Sequence, residues 1–318
     1  MKKITILDTS VATKNVGDEI IVDSVEREIF NIFKDNTMFF SVPTHEVISR
    51  HSRRILDSSN YSFVAGTNLL SSRHHILKAN QWNINLYDAV KFNRIVLMGV
   101  GWSNYQNNPG LLSKLLYKQA LDSQLLHSVR DNYTKEKLNS IGIKNVINTG
   151  CATMWNLTPE HCSLIPKKKG KNVVTTLTDY RRDIDKDKKL INILQRNYDK
   201  VYIWVQGSND FEYISSLSSE VTIVHPTLKA FDQLLDNEEN LDYVGTRLHA
   251  GIRAMQKKVR SIIIGVDNRA LEKKQDFNVN VINREDIDQL EDYVNSAFET
   301  SITLDFGAIA NWKSQFTN

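Results

Sequence analysis

Short apolar runs and stretches of helical period alternate along almost the whole chain. Runs such as Ile4–Leu7, Thr37–Val42, Tyr61–Gly66 and Arg94–Gly99 are short and rich in β-branched or aromatic residues, so they read as strands. Between them, apolar residues recur every three or four positions. The clearest case opens at Gly17-Asp18-Glu19 and carries Ile20, Ile21, Val25, Ile29, Ile32 and Phe33, with an acidic first turn that suits the helix dipole. Pro43 marks the start of the next helix, which bears the basic run Arg50, His51, Arg53 and Arg54. Further on, Leu111–Gln124 reads as a helix and Leu125–Val129 as a strand. Thr134 is placed to cap a helix over Lys135–Ile141 that Gly142 stops, and Asn145–Asn148 is the next strand.

At Pro159–Lys171 the composition shifts to proline, lysine and glycine, which marks a domain boundary. The alternation then restarts. Strands are expected at Asn172–Leu177, Val201–Val205, Val221–Val224, Leu241–Val244, Ser261–Val266 and Val279–Ile282, separated by helices such as Asp185–Tyr198, Asp210–Leu217 and Leu228–Leu235. Strand and helix in strict turn is the pattern of a parallel sheet covered on both faces. The expected fold is therefore α/β, with two doubly wound Rossmann-like domains facing a cleft, the architecture called GT-B in glycosyltransferases. Residues 1–165 form an N-terminal, acceptor-side domain and 166–305 a C-terminal, anion-binding one. Residues 306–318 are expected to form a helix that crosses back to the first domain.

Composition narrows the possibilities. The chain has 318 residues and an apolar fraction of 41%, and its 40 Lys and Arg against 37 Asp and Glu leave a net charge of +3, so no whole-molecule field argues for a nucleic-acid partner. Cys151 and Cys162 lack metal-ligand spacing and cannot build a disulfide framework, which points to a reducing cytoplasm. No secretory signal or spanning run is expected, leaving a cytoplasmic protein that is at most peripheral to the inner face of the membrane. Neither a metal nor a cofactor is expected.

Candidate chemistry gathers at predicted strand ends. In Leu241–Arg269 a strand leads through Gly245-Thr246 to Arg247 and His249 at the start of a helix, where unpaired N–H groups and the dipole favour an anion. The next strand ends in Asp267-Asn268-Arg269 on the same edge. Elsewhere, Asn15 and Asp18 sit at a strand-to-helix junction, Thr67 and Asn68 follow Gly66 where backbone can approach a ligand, and Arg130 ends a strand.

Together these junctions resemble the polysaccharide pyruvyl transferase family. The resemblance rests on Asn15-Val-Gly-Asp-Glu19, on Ser128-Val-Arg-Asp131 with Gly142 and Thr149-Gly150, and on Gly245-Thr-Arg-Leu-His-Ala250 with Gly265-Val-Asp267. It implies a GT-B-like fold and transfer of the pyruvyl group of phosphoenolpyruvate to a saccharide of a bacterial surface polysaccharide or its lipid-linked precursor, leaving a pyruvate ketal and phosphate. Under that reading His249 and Asp18 are the catalytic acid and base. Arg247, Arg130 and Arg269 clamp substrate oxygens, and Asn15, Thr67 and Asn68 bind substrate. Two departures, Ala65-Gly66-Thr67-Asn68 in place of a double glycine and Asn268-Arg269 in place of a lysine, keep a second reading open: a GT-B glycosyltransferase using an activated sugar donor. A third is a saccharide-binding protein that kept the fold without the chemistry. The oligomeric state and the identity of the sugar do not follow from the sequence.

Overall fold

In the computed structural model the first apolar run forms β1 (Lys2–Asp8), buried from Ile4 onward, and α1 (Gly17–Phe33) follows it. The alternation continues with β2 (Thr37–Pro43), α2 (Arg50–Ser58), β3 (Tyr61–Ala65), α3 (Leu86–Lys91), β4 (Ile95–Met98), α4 (Leu111–Ala120), β5 (His127–Val129), α5 (Asn132–Ser140) and β6 (Val146–Asn148). Next come α6 (Pro159–Ser163), β7 (Asn172–Thr175), α7 (Ile184–Asn197), β8 (Lys200–Trp204), α8 (Asp210–Leu217), β9 (Thr222–Val224) and α9 (Leu228–Asn237). The chain ends with β10 (Leu241–Gly245), α10 (Leu248–Gln256), β11 (Arg260–Gly265), α11 (Asn268–Phe277), β12 (Val281–Asn283), α12 (Leu290–Asn295) and α13 (Phe306–Ser314). The structure describes all residues except 35, 76–79, 93, 218–220 and 318, and all of their side chains except those of 268, 269, 271 and 272.

The chain divides into two compact units. The first comprises Met1–Thr13, Ile21–Trp155 and Asp305–Asn318, and the second Lys14–Ile20 and Asn156–Leu304. The change of unit thus falls after Trp155, ahead of the proline- and lysine-rich stretch. That stretch is ordered at its start: Thr158 caps α6 through its side chain, and Cys162 and Ile165 are buried.

In the first unit a parallel sheet runs in the order β2-β1-β3-β4. The parallel pair β5-β6 continues it through hydrogen bonds from Gly99 N to Ser128 O and from Arg130 N to Val100 O, both 3.1 Å. Residues Ile95–Met98 are wholly buried, as expected of strands covered on both faces. The last segment packs here: Phe316 lies 5.0 Å from Phe63 between ring centres, and Trp312 lies 5.5 Å from Trp155.

The second unit carries a six-stranded parallel sheet ordered β12-β11-β10-β7-β8-β9. From β7 the chain winds outward through β8 and β9, then returns to β10 on the other side of β7 and winds the opposite way. The carboxyl ends of β7 and β10 therefore flank a topological switch point, where neighbouring connections leave on opposite faces and a crevice opens.

Two local expectations are corrected. Pro43 closes β2 instead of opening a helix, because β2 lies at the sheet edge where a missing N–H is tolerated; α2 begins seven residues later, with Ser49 accepting from Ser52 N at 3.1 Å. Thr134 does not cap α5. Asp131 does so at 2.7 Å, and the Thr134 hydroxyl instead accepts from Trp102 N at 2.9 Å. Among the described residues, no helix is long and apolar enough to cross a membrane.

Candidate functional site

The switch point of the second unit is built from hydroxyls, carboxylates and one guanidinium. Thr176, just past β7, donates through its hydroxyl to Tyr243 Oη at 2.6 Å; Tyr243 donates to Arg247 O at 2.7 Å; and Arg247 N donates back to Thr176 Oγ1 at 3.2 Å. This closed ring fixes where β10 hands over to α10. Burial raises the Tyr243 phenol far above its ordinary value, so it stays a donor. Thr246 adds hydrogen bonds to Thr176 O from its backbone N at 2.8 Å and from its hydroxyl at 3.1 Å. Gly245 is required by this closeness, since a Cβ there would lie 2.6 Å from Thr176 N and 2.8 Å from Tyr243 Oη.

Arg247 is 5% exposed, and its side chain turns into the unit. Nη2 donates to both oxygens of Asp210 at 2.6 and 2.8 Å and to Asp179 Oδ1 at 3.1 Å, while Nε donates to Leu177 O at 3.0 Å. Asp210 also accepts from the backbone N of Gly207 at 2.7 Å. Burial pushes the Asp210 carboxyl up, against the pull of Arg247 and the Gly207 N–H. The sequence reading sets Arg247 on substrate oxygens; the structure shows it tying the end of β10 to the turns after β7 and β8.

His249, half-buried, lies in the first turn of α10. Arg247 occupies the N-cap position and no side chain caps the helix, which leaves its amino end suited to an anion.

Beside this point, the carboxyl ends of β8 and β9 border a pocket of about 700 Å³. Val16, Val205, Ile223 and Pro226 give it apolar walls, Phe211 stands at it half-exposed, and Lys14 and His225 bring nitrogen donors. The segment Lys14–Ile20 is laced onto the same turn: Val16 N donates to Gln206 O at 3.0 Å and Ser208 N to Lys14 O at 3.1 Å. Asn15 Oδ1 accepts from Gly17 N at 3.1 Å and from Gln206 Nε2 at 2.8 Å. The Gly17 bond identifies the Asn15 oxygen, and that in turn identifies Nε2 of Gln206, so the buried Gln206 atom left without a partner is the acceptor Oε1. Asn15 is thus an anchor for this wall. Asp18 follows, half-buried in the first turn of α1.

The remaining candidates belong to the first unit, apart from Arg269, which begins α11 with its side chain outside the described residues. Arg130 is buried and donates from Nε to Asp131 Oδ2 at 3.0 Å. It lies against Gly101, where a Cβ would come within 2.2 Å of Nε. Gly101 N donates to Thr67 O at 2.8 Å, which ties this spot to the end of β3. There Thr67 sits at φ 52, a strained conformation for a β-branched residue, and Asn68 Oδ1 is buried without a partner. The structure therefore groups Asn15, Asp18, Arg247 and His249 in one unit, and Thr67, Asn68 and Arg130 in the other. Asp210, Asp179, Thr176 and Gln206 were not singled out from the sequence. Their local signal was position alone: Thr176 lies near the end of a predicted strand, Asp179 and Gln206 just beyond one, and Asp210 at the start of the helix that follows.

The profile of a family described as polysaccharide pyruvyl transferase matches residues 15–268. No curated protein matches the chain. Similar solved structures include a UDP-GlcNAc 2-epimerase from Neisseria meningitidis bound to UDP-GlcNAc, at 12% identity over 99% of this chain and 98% of that one, with a TM-score of 0.48. An S. aureus MnaA-UDP co-structure shares 10% identity over 92% of this chain and 88% of that one, with a TM-score of 0.46. A Thermobaculum terrenum O-GlcNAc transferase mutant shares 9% identity over 99% of this chain and 62% of that one, also with a TM-score of 0.46.

Proposed function

Because the chain belongs to the polysaccharide pyruvyl transferase family, whose members transfer a pyruvyl group onto polysaccharide, we propose that its donor is phosphoenolpyruvate and its product a cyclic pyruvate ketal. The acceptor is a saccharide of a cell-surface polysaccharide or of its lipid-linked precursor. The observation that carries this reading is the uncapped amino end of α10 at the carboxyl edge of the sheet, with His249 in its first turn. Phosphoenolpyruvate brings a carboxylate and a phosphate, and the positive end of a helix dipole favours such anions.

His249 protonates the methylene carbon of the donor, which makes the adjacent carbon electrophilic. A sugar hydroxyl adds there as Asp18 takes its proton; the C–O bond to phosphate then breaks with its electron pair going to phosphate, which takes the proton from Asp18, and a second hydroxyl closes the ketal as its proton returns to His249. Atoms balance as donor plus diol giving ketal plus phosphate. Arg247 enters as the brace that holds α10 in place. The pocket beside Gln206 receives the acceptor, with the Phe211 ring offered to a sugar face and Gln206 Oε1 to a hydroxyl.

The test is incubation with phosphoenolpyruvate and candidate oligosaccharides, following phosphate release and the ketal methyl group by NMR. His249→Asn should lower kcat by about 10²- to 10⁴-fold while leaving the melting temperature in place. No turnover together with no binding of phosphoenolpyruvate would overturn the reading. If a nucleotide sugar raised the melting temperature instead, the donor would be an activated sugar.

A further inference from the structure

α3 buries a charge and carries most of its apolar side chains outward. Its charged Asp88 is fully buried, whereas Tyr87 is 65% exposed and Leu86 and Val90 also face solvent. Asp88 lies inside because Arg53 on α2 grips both its oxygens, at 2.7 and 3.1 Å, with the same guanidinium 5.6 Å from the centre of the Tyr87 ring. That pairing turns the apolar face of α3 outward.

Next to it, α4 buries Leu116, Tyr117 and Ala120 but also carries leucines outward. α3 packs on α4, and Trp82, just ahead of α3, stacks on Tyr117 of α4. On α4, Leu111 is 86% exposed and Leu115, one turn on, is exposed too, with Lys114 and Lys118 beside them. Arg50 and Arg54 stand exposed on α2, Lys91 ends α3, and the nearby Asp57 carboxylate lies 3.8 Å from Lys91 Nζ. Outward leucine, valine and tyrosine interspersed with exposed arginine and lysine on three successive helices form an amphipathic surface held by a buried ion pair, and it lies wholly within the first unit.

We propose that this α2-α3-α4 face docks onto an anionic lipid bilayer, with Leu111, Leu115 and Tyr87 entering the headgroup boundary and the cations engaging lipid phosphates. A bilayer satisfies both features at once, since apolar tips gain burial and the cations meet negative charge. A second copy of the chain fits less well, because a two-fold contact would set these cations against one another. The proposal stands apart from the donor reading, since binding to vesicles is scored without any substrate.

The experiment is flotation of the full chain with vesicles of phosphatidylcholine alone or with about one third phosphatidylglycerol, at low and high salt. Binding is expected to the anionic vesicles only and to weaken with salt. Replacing both Arg50 and Arg54 with Gln should reduce partitioning roughly 30-fold, at about fivefold for each cation. Leu111→Ser with Leu115→Ser should reduce it about tenfold or more, with unchanged melting temperatures showing that the variants fold. Failure to bind anionic vesicles, equal binding to neutral ones, or variants that float like the parent would overturn the proposal. So would sedimentation showing dimers that the leucine variants dissolve.

Discussion

Removing Asp210 from beneath Arg247 tests the central reading of the switch point. In Asp210→Ala the guanidinium, 5% exposed, loses the acceptors now 2.6 and 2.8 Å from Nη2, and the backbone N of Gly207 loses its 2.7 Å partner. Breaking one side of a buried pair costs about 3–5 kcal/mol, and here the guanidinium keeps the longer 3.1 Å contact to Asp179 and its bond to Leu177 O. A unit of this size loses about 2–4 °C per kcal/mol, so its transition should drop by roughly 6–20 °C in calorimetry. The double variant Arg247→Met with Asp210→Val removes both charges at a similar total volume, and should melt well above Asp210→Ala, since apolar replacement of a buried pair is often neutral. The coupling, read from the full cycle, should exceed about 2 kcal/mol. If Asp210→Ala melted within a degree of the parent, or the double variant lost the sum of the two single losses, Arg247 would not be an internal brace.

Three further outcomes follow from individual contacts. His127, wholly buried in the first unit, accepts Leu97 N at Nδ1 (3.3 Å) and holds Asp122 O at Nε2 (2.9 Å), a neutral-ring arrangement; burial lowers its pKa to about 4. The unfolded chain therefore takes up this proton first, so the contribution is complete above pH 6.5 and is lost as pH falls toward 4. It amounts to about 3 kcal/mol, and urea midpoints across that range should fall more steeply for the parent than for His127→Gln. Gly245→Ala should destabilise the second unit by about 1–3 kcal/mol, seen as a lower melting temperature, because its Cβ meets Thr176 backbone at 2.6 Å. Gly101→Ala should push the Arg130 guanidinium off Asp131 and lower the melting temperature of the first unit, because its Cβ would come within 2.2 Å of Arg130 Nε.

Much of the fold was legible because buried parallel strands write themselves as apolar runs. β10 and β11 are such runs, and both lie in the middle of the six-stranded sheet. What escaped was decided by distant partners. α3 has little inward apolar stripe to read, since beside the small Ala89 it buries Asp88, held by an arginine 35 residues earlier. Pro43 carries a helix-start signal whose meaning depends on whether its strand is an edge. Thr134 carries a cap signal, but Asp131 reaches the helix first and Trp102 takes the threonine hydroxyl.

The same division runs through the site. Gly245-Thr-Arg-Leu-His-Ala250 was readable as strand, turn and helix, but the direction of Arg247 was not, because the carboxylates that receive it lie 37 and 68 residues away. An arginine just past a strand can face a ligand or its own sheet; only the third dimension decides, and here Asp210, fully buried, claims it. This changes the electrostatics of the crevice. With Arg247 neutralised, an anion engaging it would have to displace a buried carboxylate and strand that charge instead. Among the described residues of this unit, attraction for an anion is then offered by the amino end of α10, with His249 in its first turn, and by Lys14 and His225 at the neighbouring pocket.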